Sequence, residues 1–274
     1  MFGKVLLVLF VLLSFLAALL LSYSLFIEPY WLRLKDWEVI LSPKDVALDG
    51  LTILFLSDLH LKGPLGRNEA RVLEWAREYH PGIVVLGGDL LDQAEAADDV
   101  LEFVRHLPPD SKIYAVSGNW EHYFIKDIGD WKRKLAKHRV KLLTNQWVRL
   151  WVNGSSVVLS GINDATSGYA DLNRAFADSP EGYRILLSHA PVIFDDPQMP
   201  EVNLVLAGHC HGGQVCVPGW GPLWLPRGCG RYVYGLFQKS GRLMYVTSGV
   251  GTAIRPVRLF ARPEVVFIRF IRAS

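Results

Sequence analysis

Apolar positions fall into two patterns along this chain. At the start, residues 5–27 carry no charge over 23 positions, enough at about 1.5 Å per helical residue to cross a bilayer's hydrocarbon core. This run predicts an uncleaved transmembrane anchor over residues 1–27, since a cleaved signal peptide would need a shorter apolar region and a small-residue site behind it. Tyr30, Trp31 and Trp37 follow where aromatic rings meet headgroups. From Leu51 the pattern changes to short apolar runs at 53–57, 83–86, 113–116, 185–187 and 204–207, each the length of a buried strand. Amphipathic helices are predicted between them: 68–79, stopped by Pro81; 94–107, ended by Pro108 and Pro109; and 123–138, interrupted by Gly129. Residues 142–143, 148–152 and 157–160 read as antiparallel strands with an Asn153-Gly154 hairpin turn, and 244–247 and 265–270 supply more. The rhythm predicts an α/β fold of two sheets packed face to face with helices outside, in one domain over residues 28–274.

The ends of the five apolar runs carry the chemistry. They deliver Asp58 and His60, Asp89, Asn119, His189, and His209 with His211. Ligands of an open α/β sheet sit beyond the carboxyl ends of its strands, so these seven side chains are placed to converge. Nitrogen and oxygen donors without thiolate suit Mn, Fe, Zn or Mg. One ion with open positions takes about three or four protein ligands, so seven donors are enough for two ions sharing a carboxylate. Each residue also has a plainer reading: a helix cap for Asp89, a turn residue for Asn119, a hydrogen-bonding imidazole for each His.

Taken in order, Asp58-Leu59-His60, Gly88-Asp89, Gly118-Asn119, Ser188-His189 and Gly208-His209-Cys210-His211 resemble the signature of calcineurin-like metallophosphoesterases. The resemblance covers nearly all of the chain from Leu51 onward. It implies a four-layer α/β/β/α sandwich. It also implies two divalent ions, Mn first among the candidates, with Asp58, His60 and His211 on one, Asn119, His189 and His209 on the other, and Asp89 bridging both. One position departs from the family pattern, which places a catalytic His directly after the Asn: here Trp120 stands there, and His122 lies two residues on. His122 is either a substitute general acid or a supporting residue. The continuation Gly212-Gly213-Gln214, then Pro218, Gly235-Leu236 and the stretch at 248–258, is similar to a membrane-associated bacterial branch that includes UDP-2,3-diacylglucosamine pyrophosphatases of lipid A biosynthesis.

Composition narrows the class further. A net charge of +2 argues against a nucleic-acid partner, which would call for a basic stripe. The three cysteines, Cys210, Cys216 and Cys229, are odd in number and late in the chain, and read as free thiols of a reducing compartment, with Cys210 a small buried filler. Lys4 before the span against Arg33, Lys35 and Lys44 after it points to a cytoplasmic catalytic part. In residues 218–231, Trp220 and Trp224 are candidates for an acyl chain or bilayer, and Arg227 and Arg231 for phosphate, against the plainer reading of a loop folded onto the core. A nucleotide monophosphate departs without a general acid, which accommodates Trp120. The expected function is therefore a membrane-anchored, dinuclear-metal phosphohydrolase acting on a lipid-linked phosphoester or pyrophosphate, with UDP-2,3-diacylglucosamine as the specific substrate. Its rivals are a broader cell-envelope phosphodiesterase or phosphomonoesterase, and a metal-binding adaptor without turnover. No feature of the sequence indicates an oligomeric state.

Overall fold

A computed structural model describes residues 2–273. The uncharged N-terminal run is part of a single helix, α1 (Phe2–Phe26), in which Ser24 alone among the described residues is buried. Leucine, valine and phenylalanine all round, with no face laid on protein, make α1 long and apolar enough to cross a membrane.

The rest of the chain alternates. In order come β1 (Arg33–Leu41), β2 (Thr52–Leu56), α2 (Arg67–Tyr79), β3 (Ile83–Leu86), α3 (Ala97–Arg105), β4 (Lys112–Ala115), α4 (Asn119–Phe124), α5 (Ile128–Lys137) and β5 (Val140–Leu142). Then follow β6 (Gln146–Val152), β7 (Ser155–Gly161), α6 (Leu172–Phe176), β8 (Tyr183–Leu187) and β9 (Leu204–Ala207). The small hairpin β10 (Cys216–Val217) and β11 (Gly221–Pro222) precedes β12 (Gly235–Lys239), β13 (Arg242–Val246) and β14 (Glu264–Arg272). One sheet runs β1-β14-β2-β3-β4-β5 and the other β12-β13-β9-β8-β7-β6. β2 to β5 are mutually parallel, as are β7, β8, β9 and β13, so five ligand-bearing strand ends open toward one side.

Strand alternation divides the core. Leu54, Leu56, Val84, Leu86 and Ala115 face an outer layer of α2, α3 and α5, while Ile53, Phe55, Ile83, Val85 and Tyr114 face the second sheet. There they meet Val157, Leu159, Ile185, Leu187, Leu204 and Leu206, so the central layer is apolar from both sides. The far face of the second sheet is covered by α6 and the turn at residues 191–195. This is the α/β sandwich the pattern implies, with a thin fourth layer.

Two local expectations are corrected. The helix read over 123–138 is two, α4 and α5, because Ile125 turns extended and the Asp127 side chain accepts the Asp130 N–H to start a new helix. Gly129 sits in the first turn of α5, where it interrupts nothing. β1 also went unread, because Lys35-Asp36 and Val39-Ile40-Leu41 break the polar–apolar alternation that marks a strand, and it pairs in parallel with the far end of the chain, Arg33 beside Glu264.

Candidate metal centre

Five of the seven residues named from the strand ends have left-handed backbones: Asp58 (φ 55°), His60 (46°), Asp89 (51°), His209 (71°) and His211 (51°). Non-glycine residues pay about 1–3 kcal/mol for such conformations, which persist only where the surrounding structure enforces them. Here the close meeting of the two sheets enforces them. Gly88 (φ 92°) comes so close to the next strand's loop that a Cβ would lie 2.5 Å from the Gly118 nitrogen and 2.9 Å from His189 Nδ1. At Gly208 an added Cβ would collide with Ser57 and with the Asp58 carboxylate.

The side chains form two clusters. Asp58, His60 and His211 make one, Asp89, His189 and His209 the other, and within each the ligand atoms lie within 4.8 Å of one another. His60 Nε2 is 3.1 Å from His211 Nε2, and His211 Nε2 is 3.5 Å from Asp58 Oδ1. His209 Nδ1 is 3.1 Å from His189 Nε2. Asp89 Oδ2 is 3.1 Å from His189 Nε2 and 3.7 Å from His60 Nε2, so one oxygen touches both clusters. Asn119 borders the same space, and its buried Oδ1 has no hydrogen-bond partner among the described residues. An orphaned carbonyl oxygen beside buried carboxylates and imidazoles fits the chemistry of a divalent-cation site.

Neighbours orient three of the four rings. His60 Nδ1 meets Asp92 at 3.1 Å, His189 Nδ1 meets the Gly87 carbonyl at 2.9 Å, and His209 Nε2 meets the Arg227 carbonyl at 2.8 Å. Each contact takes the N–H and leaves the other nitrogen's lone pair for the cluster. Burial, then the charge on neighbouring His60 and Arg258, holds His211 well below the usual imidazole range. Burial and His189 likewise lower His209. Burial by itself would discharge Asp89 and His189; their mutual attraction wins, so the Asp89 carboxyl sits low and His189 well above its usual value. A carboxylate that draws a proton onto a buried imidazole is a carboxylate that attracts cations.

Three supporting residues went unread in the sequence. Glu121 is buried and accepts from the backbone N–H groups of Asp89 (2.9 Å), Leu90 (2.7 Å) and Gly118 (2.7 Å), tying the β3 and β4 ends together. Burial and the Asp89 charge push its carboxyl up to about 7. Its signal was legible as a Glu three residues after the glycine preceding a helix, the device repeated by Gly66 and Glu69. Asp92 was readable only as a polar residue after a strand. Arg258 is 47 positions from His211 and 69 or more from the ligands of the other blocks, and nothing local marks it as buried beside His211.

A cavity of about 910 Å³ opens onto Asp89, Asn119, His209 and His211. Its wall is largely apolar, with Trp120, Phe124, Val215, Trp224, Ile254 and Val257. Trp120 donates its backbone N–H to Asp89 Oδ1 at 2.8 Å, and its indole stands perpendicular to the His60 ring. His122 also lines the cavity; its Nε2 is 3.0 Å from Ser117 Oγ, its ring stacks on Tyr169, and burial lowers its pKa. Of the four substrate candidates, Trp224 alone is brought into the cavity wall. Trp220 is 91% exposed outside it. Arg227 contributes its carbonyl to His209 and leaves its side chain exposed, and Arg231 pairs with Asp195 at 3.1 Å, away from the cavity. The arginine at the rim is Arg255, from the stretch at 248–258, where the sequence pattern marked no phosphate-binding residue.

The cysteine expectation is overturned. Cys210 and Cys229 form a disulfide that staples the loop between the two metal-cluster histidines to the loop ending in residue 231; Cys216 alone is free. Their 19-residue separation gave no local sign of the pairing. The inference of a reducing compartment from three free thiols falls with it. Denatured protein with its thiols trapped at lysis is expected to take up one maleimide before reduction and three after it, read by mass spectrometry. Three before reduction would show the bond absent in the cell and overturn the pairing.

Two adjoining carboxylate–imidazole clusters at the strand ends of an α/β sandwich define a metal-dependent hydrolase. The sequence model of the calcineurin-like phosphoesterases matches residues 51–213, and the chain belongs to that family as a metal-dependent phosphoester hydrolase. Phosphodiesterase YaeI of Escherichia coli (strain K12) is 31% identical over 268 residues, covering 91% of this chain and 92% of its own. A transmembrane protein with metallophosphoesterase domain from Danio rerio is 29% identical over 257 residues, 86% of this chain and 56% of its own. Among solved structures, a 5'-nucleotidase precursor from Thermus thermophilus aligns at TM-score 0.49 and 16% identity over 73% of this chain and 49% of its own, so this chain spans about half of that protein.

Proposed function

We propose that residues 28–274 are the catalytic part of a single-pass membrane phosphohydrolase, anchored by residues 1–27, that cleaves a lipid-linked phosphoester or pyrophosphate. UDP-2,3-diacylglucosamine, giving lipid X and UMP, is the first candidate substrate. The observation that carries this reading is the cavity: it reaches the ligand clusters at one end and is walled by Trp120, Phe124, Trp224, Ile254 and Val257 elsewhere. A volume of about 910 Å³ lies near the top of the roughly 300–1,000 Å³ that ligand sites occupy, and its walls suit acyl chains better than a nucleoside.

Asp58, His60 and His211 would hold one divalent ion and Asn119, His189 and His209 a second, with Asp89 shared. Such a pair supplies an activated water and neutralises phosphoryl charge. The chain's own residues do the remaining work. The apolar wall excludes bulk water, the Trp120 backbone N–H fixes Asp89, and Arg255 at the rim is placed to meet an anionic group. In the net hydrolysis, water's oxygen joins one phosphorus as the bridging P–O bond breaks. Burial lowers the pKa of His122, which weakens it as a source of a proton for the leaving group. That favours a leaving group that departs as an anion, as UMP does.

A second reading, a phosphodiesterase of broader range, is favoured by the similarity to phosphodiesterase YaeI of Escherichia coli. Detergent-solubilised protein with added Mn, given UDP-2,3-diacylglucosamine beside bis-p-nitrophenyl phosphate, separates the two by mass spectrometry of the products. Lipid X and UMP are expected. Turnover of the chromogenic diester with the nucleotide lipid left intact would replace the first reading by the second.

A further inference from the structure

We propose that the face bearing the cavity mouth rests on the bilayer that α1 enters, so that an amphiphile passes into the cavity from the membrane plane. This rests on α1 spanning the membrane, as the functional reading does, and not on which lipid is cleaved.

The argument is one of connection. The C-terminal end of α1 is bonded to the segment at 253–262: the Arg258 N–H donates to the Ser24 carbonyl at 2.9 Å. The fully buried Glu28 carboxylate accepts from the N–H of Phe260 at 2.9 Å and of Ala261 at 2.5 Å. Arg262 lies 3.9 Å above the Trp31 ring and donates to the Trp31 carbonyl at 3.1 Å. The segment held in this way also builds the mouth, since Ile254, Arg255 and Val257 line the cavity. Leu259 then pairs with residues 214 and 216, its N–H donating to the Gln214 carbonyl at 2.9 Å and its carbonyl accepting from Cys216 at 2.8 Å. From Cys216 the short hairpin β10–β11 carries Trp220 at its tip, at most roughly 15 Å further on for four residues of extended chain.

Apolar exposure follows the same path. Phe260 is 53% exposed, Ile254 65%, Leu223 66% and Trp220 91%. Large apolar side chains grouped around one opening mark a contact surface. The occupant is identified by the anchor. The patch begins where an apolar helix ends, tryptophan is the side chain favoured at the bilayer interface, and exposed Arg255 suits anionic headgroups.

The test uses the full-length chain in nanodiscs containing phosphatidylglycerol, with lipids brominated near the top of the acyl chain. The difference in emission between wild type and Trp220→Phe isolates Trp220. Its emission is expected to be quenched by the brominated lipid and protected from aqueous iodide. Quenching by iodide without quenching by bromolipid overturns the proposal, because the tip then faces water. Protection from both overturns it in favour of a second copy or another protein on this face. Failure of the chain to enter the discs removes the anchor and the proposal together. None of these readings depends on substrate turnover, so they stand apart from the assay of function.

Discussion

Replacing Asp89 by alanine is expected to lower phosphoester hydrolysis by roughly 10³-fold or more, the rate equivalent of the several kcal/mol that metal-assisted charge stabilisation supplies. Asp89 Oδ2 is the atom that meets both clusters, 3.1 Å from His189 Nε2 and 3.7 Å from His60 Nε2. Alanine leaves two separate groups of ligands with no carboxylate between them. Metal content, measured by plasma mass spectrometry after desalting, should fall together with activity. Folding should survive, because the variant also removes a buried charge; a circular-dichroism spectrum like that of wild type separates lost chemistry from lost structure. Activity within tenfold of wild type would rule out Asp89 as the shared ligand.

The second large effect is expected at Arg258. Its guanidinium is completely buried and donates to the carbonyls of Gly251 (2.5 Å), Ala261 (2.7 Å), Ser248 (2.8 Å), His211 (3.2 Å) and Gly249 (3.3 Å). Burial draws its pKa down to about 10, so it remains charged at neutral pH. Arg258→Met keeps most of the volume and strips the donors from these carbonyls, a loss of about 3–5 kcal/mol once the relief of burying a charge is set against it. For a chain of this size that corresponds to a fall in Tm of roughly 10 °C. Because the same side chain joins His211 to the segment bonded to α1, metal affinity should drop as well. Arg258→Lys, with one point charge in place of a planar fork, should fall between the two. A Tm within about 2 °C of wild type for Arg258→Met would show that the carbonyls find other donors.

Much of the molecule was legible before any coordinates because its most informative features are local. An apolar run ending in a small residue and a polar one announces a buried strand and its carboxyl end in a few adjacent letters, and four of the five such runs brought Asp58, His60, Asp89, His189, His209 and His211 into two groups. The uncharged start of the chain announced α1 in the same way. Features that depend on distant pairing left no such trace. β1 is completed by β14, more than 200 positions away in sequence, and Cys210 finds Cys229 because two loops cross above the site.

The chain order of apolar and polar residues thus determined that this protein has an apolar N-terminal helix, two buried sheets and a set of cation-binding side chains at their strand ends. Tertiary structure decided which atoms support those side chains, where the cavity opens, and that Arg255 rather than Arg231 stands at its rim. The physical reason is range. Side-chain periodicity and strand termination are set by neighbours within a few residues, whereas the burial of Arg258 and the left-handed turns at the ligands exist only once two sheets have closed on each other.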